Sequence, residues 1–132
     1  MMHDVIIVGG SYAGLSAGLQ LARARRQVLV IDAGQRRNRF AATSHGFLGQ
    51  DGQAPEAIAS QGRGQLMAYP TVTWVQDRVI QASGESQGFA IGTECNGTFH
   101  AKRLILATGV VDELPAIEGL ESRWGKYVFH CP

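Results

Sequence analysis

Apolar residues occur in short runs separated by glycine-rich and polar stretches, and their spacing predicts the order of elements. Residues 5–8 are continuously apolar and stop at two glycines, which is typical of a buried strand followed by a tight turn. Apolar residues then recur at helical spacing from Ser11 or Tyr12 to Arg25. Residues 27–32 form a second apolar run that ends in an acid, so the chain begins as strand, turn, helix and strand.

The next third of the chain has weaker patterning. Residues 33–39 and 44–52 are rich in glycine and polar side chains, which predicts two loops. Pro55 suits the first turn of a helix, and Pro70 cannot continue one. The predicted helix between them has a weak apolar face, formed by Ala57, Ile58, Leu66 and Met67.

From Thr71 the apolar period changes to two, which indicates strands. Val72 and Trp74 are predicted on one face of the first of them, and Thr73 and Val75 on the other. Three short strands follow, at residues 79–82, 89–93 and 98–101, with turns at Ser83-Gly84 and Asn96-Gly97. Cys95 beside the second turn is expected to be a packed small side chain.

The last third of the chain begins with a predicted buried strand at residues 102–109, which ends in Ala-Thr-Gly. A short helical turn is expected within residues 117–124, and residues 126–132 read as a strand-like run. We therefore predict an α/β fold. It is an incomplete Rossmann-like parallel sheet of at most three parallel strands, with an inserted three-stranded β-meander. The meander covers one face in place of a crossover helix, and one side of the sheet lacks cover.

Composition narrows the class of protein. The chain has 132 residues, of which 45% are hydrophobic and 17% charged, so it is long enough for one globular domain. The formal net charge of +1 favours neither nucleic acid nor an anionic membrane as a partner. No apolar run reaches membrane-spanning length, the first run is too short for a signal sequence, and two cysteines suggest no disulfide framework. We expect a cytoplasmic protein without a metal site.

The glycine-rich turn is the strongest candidate site. Gly9 permits the sharp turn, Gly14 permits close packing of helix on strand, and the helix N-terminus suits a pyrophosphate. The middle glycine of the usual G-x-G-x-x-G pattern is Ser11 here, a small residue whose hydroxyl can donate to phosphate. Asp32 lies 18 positions after Gly14, where a carboxylate can accept hydrogen bonds from ribose hydroxyls. This order of elements predicts dinucleotide binding.

Two neighbouring stretches carry further candidates. The arginines of the loop after Asp32 can pair with a phosphate or can simply be solvated. The acid itself argues against a 2′-phosphate, which it would repel. His45 is the only ionisable ring near the proposed cofactor, although such a histidine is more often structural.

The motifs resemble the low-molecular-weight thioredoxin reductase family, the class II pyridine nucleotide-disulfide oxidoreductases, over nearly the whole chain. The resemblance rests on the glycine-rich turn, Asp32, Arg37-Asn38, Ala-Thr-Gly followed by Leu114-Pro115, and Cys131-Pro132. Residues 45–49 and the His-Cys-Pro ending are most similar to a bacterial subgroup and to related flavin-dependent dithiol oxidases. The resemblance implies a flavoprotein in which electrons pass from NAD(P)H through FAD to a cysteine pair. The substrate would be thioredoxin-like or a small disulfide, and the protein would be a homodimer.

The resemblance also assigns roles to residues. Cys131 matches the first cysteine of the redox pair and is the candidate catalytic residue. The candidate FAD-binding residues are Gly9, Gly10, Ser11, Tyr12, Ala13, Gly14, Asp32, Ala33, Gly34, Arg37, Asn38, His45, Gly49, Val79, Ala107, Thr108 and Gly109. Within this set, Val79 would touch adenine, and His45 and Gly49 would lie beside the flavin ring.

The chain departs from the family pattern after Cys131, because the position of the second cysteine is absent. We expect residues 1–116 to be the N-terminal part of an FAD-binding domain. Residues 117–132 would begin the connection to a redox and nicotinamide domain that is absent, so the chain alone would be inactive. Two alternatives stay open: a non-catalytic dinucleotide-binding module or subunit completed by another chain, and an NAD-binding dehydrogenase domain.

Overall fold

The computed structural model describes residues 1–130, apart from the side chain of Glu85. Strands and helices alternate at first, and a run of strands follows. The elements are β1 Met2–Val8, α1 Tyr12–Arg23, β2 Val28–Asp32, α2 Pro55–Met67, β3 Val72–Gln76, β4 Val79–Glu85, β5 Gly88–Thr93, β6 Thr98–Leu106 and α3 Leu120–Arg123. One 3-10 turn, Arg37–Phe40, begins inside the stretch predicted to be a plain loop.

All of these strands belong to one six-stranded sheet with the order β3-β2-β1-β6-β5-β4. The strands β3, β2, β1 and β6 are parallel to one another, whereas β4 and β5 are antiparallel to their neighbours. The predicted α/β class with an inserted meander is confirmed. The limit of three parallel strands was wrong, because β3 pairs with β2 and adds a fourth.

The third strand of the meander and the predicted strand at residues 102–109 are one continuous strand, β6. Its first half pairs with β5 from Thr98 to Ala101, and it pairs with β1 from His100 to Leu106. The two predicted strands meet directly at Ala101 and Lys102, with no glycine or proline at the junction, so the backbone stays extended across it. The strand ends before Ala-Thr-Gly and is not buried as predicted, since Leu106 is 67% exposed.

The two faces of the sheet carry separate apolar clusters. One face packs Ile7 and Val30 against Leu15 of α1 and Leu66 of α2. The opposite face packs Ile6 and Leu29 against Ile91 of β5 in the meander. The prediction that the meander covers one face is therefore confirmed. The prediction that one side of the sheet lacks cover was wrong, because Ile6 and Ile7, on opposite faces, are both fully buried.

Several local predictions in the meander and in α2 were wrong. The β4–β5 hairpin turns at Ser86 and Gln87, because β4 continues through Ser83 and Gly84 until Glu85 pairs with Gly88. Cys95 is an exposed free thiol in place of a packed side chain. On α2, Ala57 and Met67 are exposed, whereas Ala59, which the pattern missed, is buried.

The end of the described chain also differs from its prediction. The short helix α3 falls inside the stretch where a helical turn was expected. Residues 126–130 form turns in place of a strand, and a single isolated bridge joins Trp124 to Val128. Tyr127 and Phe129 are exposed, so this stretch does not pack as a buried strand.

The helix α1 ends two residues earlier than predicted, at a cap that forces Arg25 into the left-handed region with φ of 58°. Arg26 N–H donates to Leu21 O and Arg25 N–H donates to Ala22 O, the hydrogen bonds of a Schellman motif. Glycine adopts this backbone without the steric cost of a Cβ. We expect Arg25→Gly to raise the free energy of unfolding by about 1 kcal/mol.

Chemical denaturation measures this effect. The control is Arg23→Gly, the same change inside α1, which is expected to lower the stability by about 1 kcal/mol. A loss of stability in both variants would show that the left-handed backbone at Arg25 is not strained.

The carboxylate of Asp77 organises the loop between β5 and β6. It accepts hydrogen bonds from the N–H groups of Arg78, Cys95 and Asn96, at 2.7, 3.1 and 2.9 Å, and from the side chain of Asn96 at 2.7 Å. Burial acts to raise the pKa of Asp77, but these hydrogen bonds outweigh it, and the pKa lies well below its ordinary value of 3.8. The ionised carboxylate therefore stabilises the native loop.

Because the pKa is depressed in the folded state, the stabilisation is present above the ordinary pKa and is lost as the pH falls below it. We expect Asp77→Asn to lower the Tm at pH 7 by roughly 5 °C and to reduce the loss of Tm between pH 5 and pH 3. Thermal melts over this range test the prediction. Glu118→Gln removes an exposed carboxylate outside the loop and should leave both values unchanged.

Candidate functional site

The turn between β1 and α1 is closed by glycines that no larger residue can replace. Gly9 has φ of +103°, and a Cβ there would overlap the carbonyl oxygen of Ala107. A Cβ on Gly14 would overlap the carbonyl oxygen of Gly9. The backbone of α1 thus lies directly against the turn, and the turn lies against the end of β6.

Asp32, at the end of β2, holds this turn from the other side. Its Oδ1 accepts a hydrogen bond from Gly10 N–H at 3.0 Å, and Gly9 N–H donates to Ile31 O at 2.8 Å. A Cβ on Gly10 would overlap the ring of Trp74, so the turn also packs on β3. The carboxylate predicted to bind ribose therefore also fixes the shape of the glycine-rich turn.

The N-terminus of α1 is open toward this space. The first N–H groups of a helix have no partner within the helix, and a capping side chain commonly takes up one of them. Ser11 occupies the capping position but makes no hydrogen bond from its side chain to the first turn. Backbone donors and the positive end of the helix dipole are thus available to an anion.

A cavity of about 520 Å³ lies over this turn, at the carboxyl ends of β1, β2 and β6. It brings together residues that are far apart in sequence. From the predicted set, it is lined by Gly9, Gly10, Ser11, Tyr12, Ala13, Asp32, Arg37, Asn38, Ala107, Thr108 and Gly109. The crevice at the carboxyl ends of parallel strands is where open α/β sheets bind ligands.

The other predicted cofactor residues do not line this cavity. Gly14 lies behind the turn, and Gly34 is a turn residue with φ of +77° beside the Gln76 side chain. Val79 packs in the apolar cluster under the meander. Ala33, His45 and Gly49 are likewise absent from the lining, and the cofactor roles of all six residues stay predictions.

His45 lies in an exposed loop, where its Nδ1 is 3.4 Å from Asp51 Oδ1. Asp51 also accepts a hydrogen bond from Gly46 N–H at 2.7 Å, and this bond and the histidine lower the pKa of Asp51. These contacts are local to the loop. They do not connect His45 to the cavity at the glycine-rich turn.

Sequence reasoning missed five residues that line the cavity: Gln35, Arg36, Leu106, Val110 and His130. Four of them are immediate neighbours of predicted cofactor residues, so the cavity lining continues beyond the predicted segments. His130 precedes the candidate cysteine, and its ring lies 6.1 Å from that of Trp124. Only the path of the chain after β6 shows that His130 returns to the cavity.

Two of the three arginines in the loop after Asp32 are paired with carboxylates. Arg36 forms an ion pair with Glu56 at the start of α2, although its Nε is buried without a hydrogen-bond partner. Arg37 binds Asp112 through Nε at 2.9 Å and Nη2 at 2.6 Å. This pairing lowers the pKa of Asp112 and ties the loop after β2 to the segment after β6. Neither arginine is the simply solvated side chain that was the alternative interpretation.

The hydroxyl of Tyr12 links three segments at the cavity wall. It donates a hydrogen bond to Pro55 O at 3.0 Å and accepts one from Asn38 Nδ2 at 3.0 Å. The first residue of α1 is thus joined to the 3-10 turn and to the start of α2. The 3-10 turn has no buried residue of its own, so these hydrogen bonds hold it at the cavity wall.

Two further observations concern the candidate catalytic residue and the length of the helices. The candidate catalytic residue Cys131, together with Pro132, lies outside the described residues 1–130. Within those described residues, no helix combines the length and the apolar character required to cross a membrane.

Comparison with known proteins agrees with this geometry. The family model described as pyridine nucleotide-disulphide oxidoreductase matches residues 3–132. A probable thioredoxin reductase of Arthroderma benhamiae is 34% identical over 98% of this chain and 34% of its own length. Thioredoxin reductase tcpT of Claviceps purpurea is 34% identical over 97% of this chain and 41% of its own length.

Solved structures show the same similarity. An oxidoreductase from Agrobacterium tumefaciens superimposes with a TM-score of 0.94 at 58% identity, covering 100% of this chain and 45% of that one. A putative thioredoxin reductase TrxB from Bacillus anthracis has a TM-score of 0.92 at 37% identity, covering 98% and 44%. The chain thus spans less than half the length of these similar proteins.

Proposed function

The chain belongs to the pyridine nucleotide-disulphide oxidoreductase family, and we propose that it is the FAD-binding part of a thioredoxin-reductase-like oxidoreductase. The observation that carries the proposal is the cavity at the glycine-rich turn. Its lining combines backbone donors at a helix N-terminus with a carboxylate at the end of β2. These are the groups that a pyrophosphate and a ribose require.

The residues present fit FAD. Gly9 and Gly10 let the turn pack closely on Ala107 and on the ring of Trp74, and Ser11 leaves the first turn of α1 without a side-chain cap. The N–H groups of this turn would hold the pyrophosphate, and Asp32 would accept hydrogen bonds from the adenosine ribose. Arg37 and Asn38 would line the same end of the cofactor, and residues 107–109 would border the flavin.

The pairing of both arginines is consistent with a cofactor that lacks a 2′-phosphate. A 2′-phosphate next to Asp32 would need a cation to offset the repulsion between the two negative groups. Arg36 and Arg37 are each already paired with a carboxylate, on Glu56 and Asp112. This arrangement supports FAD or NAD over NADP at this particular site.

In the proposed complete protein, bound FAD supplies the two-electron chemistry that connects NAD(P)H to a disulfide. Cys131 would be one member of the cysteine pair, and the substrate would be a thioredoxin-like protein or a small disulfide. Residues 1–116 would form the N-terminal part of the FAD domain. Residues 117–132 would lead toward the redox and nicotinamide domain. The names of the similar proteins support this assignment.

An absorbance spectrum of the purified chain tests the proposal. We expect a pair of visible flavin bands, either as purified or after incubation with FAD and removal of the free cofactor. A spectrum without visible bands after incubation would refute FAD binding by this chain. Calorimetry with NAD in place of FAD tests the remaining alternative, an NAD-binding dehydrogenase domain. Tight binding of NAD without binding of FAD would favour that alternative.

The same cavity also suits a second function, a non-catalytic dinucleotide-binding module or a subunit completed by another protein. Purification from its natural source distinguishes this from the leading proposal. A stoichiometric partner would support the subunit, whereas a monodisperse chain that binds FAD without a partner would exclude it.

A further inference from the structure

The loop between β5 and β6 contains the pair Asn96-Gly97, which lies outside the cofactor cavity. In an Asn-Gly pair, the backbone nitrogen of the glycine can attack the side-chain amide carbon of the asparagine. Because glycine has no side chain, the steric obstacle that slows this attack before larger residues is missing. Both residues are exposed here, so water reaches the amide.

The loop leaves the reacting glycine uncrowded. Gly97 has φ of +77°, and apart from its chain neighbours no atom lies within 4 Å of the position that a Cβ would take. The loop holds Gly97 by its carbonyl oxygen, which accepts hydrogen bonds from Thr93 N–H at 2.8 Å and from Thr93 Oγ1 at 2.9 Å. The nitrogen that attacks is therefore not the group that fixes this glycine in the loop.

Asp77 restrains the amide that is attacked. Its Oδ2 accepts a hydrogen bond from Asn96 Nδ2 at 2.7 Å and another from Asn96 N–H at 2.9 Å. Formation of the ring rotates the side chain of Asn96 relative to its backbone, and both are anchored to the same carboxylate oxygen. Hydrogen bonds to an ionised group are stronger than neutral ones, so the folded loop resists this rotation.

The second asparagine of the chain provides an internal reference. Asn38 and Asn96 are the only two asparagines in the sequence. Asn38 is followed by Arg39, whose side chain hinders attack by the backbone nitrogen, and Asn38 Nδ2 donates to the Tyr12 hydroxyl at 3.0 Å. The reaction is therefore expected at Asn96 and not at Asn38.

We propose that Asn96 is a site of spontaneous deamidation and that the carboxylate of Asp77 slows this reaction in the folded loop. The nitrogen of Gly97 forms a bond to Asn96 Cγ and loses its proton, while the bond from Cγ to Nδ2 breaks and ammonia leaves. One water molecule then opens the resulting succinimide ring to aspartate or isoaspartate. No oxidant or reductant takes part, and the proposal is independent of cofactor binding.

The product conflicts with the loop that contained the asparagine. A carboxylate replaces the amide that donates to Asp77 Oδ2 at 2.7 Å, so a hydrogen bond is exchanged for the repulsion of two negative groups. Asp77 also loses one of the donors that stabilise its ionised form. Deamidation of Asn96 therefore loosens the connection between β5 and β6.

Peptide mapping by mass spectrometry, during incubation of the 132-residue chain at mildly alkaline pH, tests the proposal. Trypsin releases residues 79–102 as one peptide, in which Asn96 is the only asparagine. We expect conversion at Asn96, whereas Asn38, followed in a chymotryptic digest, stays intact over the same period. In urea, where the anchoring to Asp77 is lost, conversion at Asn96 should be about tenfold faster.

Variants separate the restraint from the chemistry. Asp77→Ala should also convert Asn96 about tenfold faster than the wild type. The matched control is Asp51→Ala, which removes a carboxylate that accepts a hydrogen bond in a different loop and should leave the rate unchanged. Asn96→Asp imitates one product and should lower the Tm more than Asn96→Ser, which removes the amide without adding a charge.

Conversion at Asn96 alone, accelerated in urea and in Asp77→Ala, would support the proposal. An intact Asn96 in the folded wild type, or equal conversion at Asn38, would overturn the assignment of the site. Equal rates in buffer and in urea would refute the restraint by Asp77, and this comparison holds even if Asp77→Ala does not fold.

Discussion

The variant Gly14→Ala will lose about 3 kcal/mol of stability, a large part of the total for a domain of this size. The added Cβ would overlap the carbonyl oxygen of Gly9, and that oxygen belongs to the backbone of the turn and cannot move aside as a side chain can. Alanine has the higher helix propensity, which offsets about 1 kcal/mol of the cost. The glycine is therefore required by the packing of α1 on the turn.

Urea unfolding compares this variant with Gly64→Ala. Gly64 lies in α2 with open space around its Cα, so alanine there should add about 1 kcal/mol of stability through helix propensity alone. The two substitutions are chemically identical and are expected to have opposite signs. Stabilisation in both variants would show that the turn can relax away from α1.

The second large effect concerns the affinity for FAD. Replacing Asp32 by asparagine keeps a carbonyl oxygen that can accept the Gly10 hydrogen bond, but it removes the charge that would bind ribose hydroxyls. We expect Asp32→Asn to weaken FAD binding by about 10- to 100-fold, the typical loss of a charged hydrogen bond. The Tm without FAD should change little, because the turn keeps its hydrogen-bond acceptor.

Two further variants make this measurement specific. Asp32→Ala removes both interactions and should lower both the affinity and the Tm. Glu118→Gln changes an exposed carboxylate that does not line the cavity and should leave FAD binding unchanged. Fluorescence titration with FAD gives the affinities, and equal affinity of Asp32→Asn and the wild type would exclude a ribose contact.

The main elements could be predicted because their signals are local. The apolar run of β1, the glycines of the turn and the acid of β2 lie within the first 32 residues. Their order alone predicts a dinucleotide-binding fold, and the cavity lining contains most of the residues chosen for it. Gly14 was predicted to permit close packing of α1 on the turn, and its close contact with Gly9 O agrees with that prediction.

Other features depend on contacts between distant segments. Arg37 and Asp112 are 75 positions apart, and neither local sequence indicates that the two pair. The fourth parallel strand, β3, was missed for a similar reason. The period of two in its apolar residues fits a strand of an antiparallel meander as well as a parallel strand. Cys95 looked like a packed residue from its small size, but the loop around Asp77 turns it outward.

The sequence by itself determined the class of fold, the glycine-rich turn and the acid beside it, because steric exclusion and apolar periodicity act between near neighbours. Only the tertiary structure decided that β6 is one strand, which pairs antiparallel with β5 and parallel with β1. It also decided that Arg36 and Arg37 are paired with carboxylates, and that His130 lines the cavity while His45 does not. These outcomes depend on which distant segments compete for the same hydrogen bonds and charges, and a linear pattern does not contain that information.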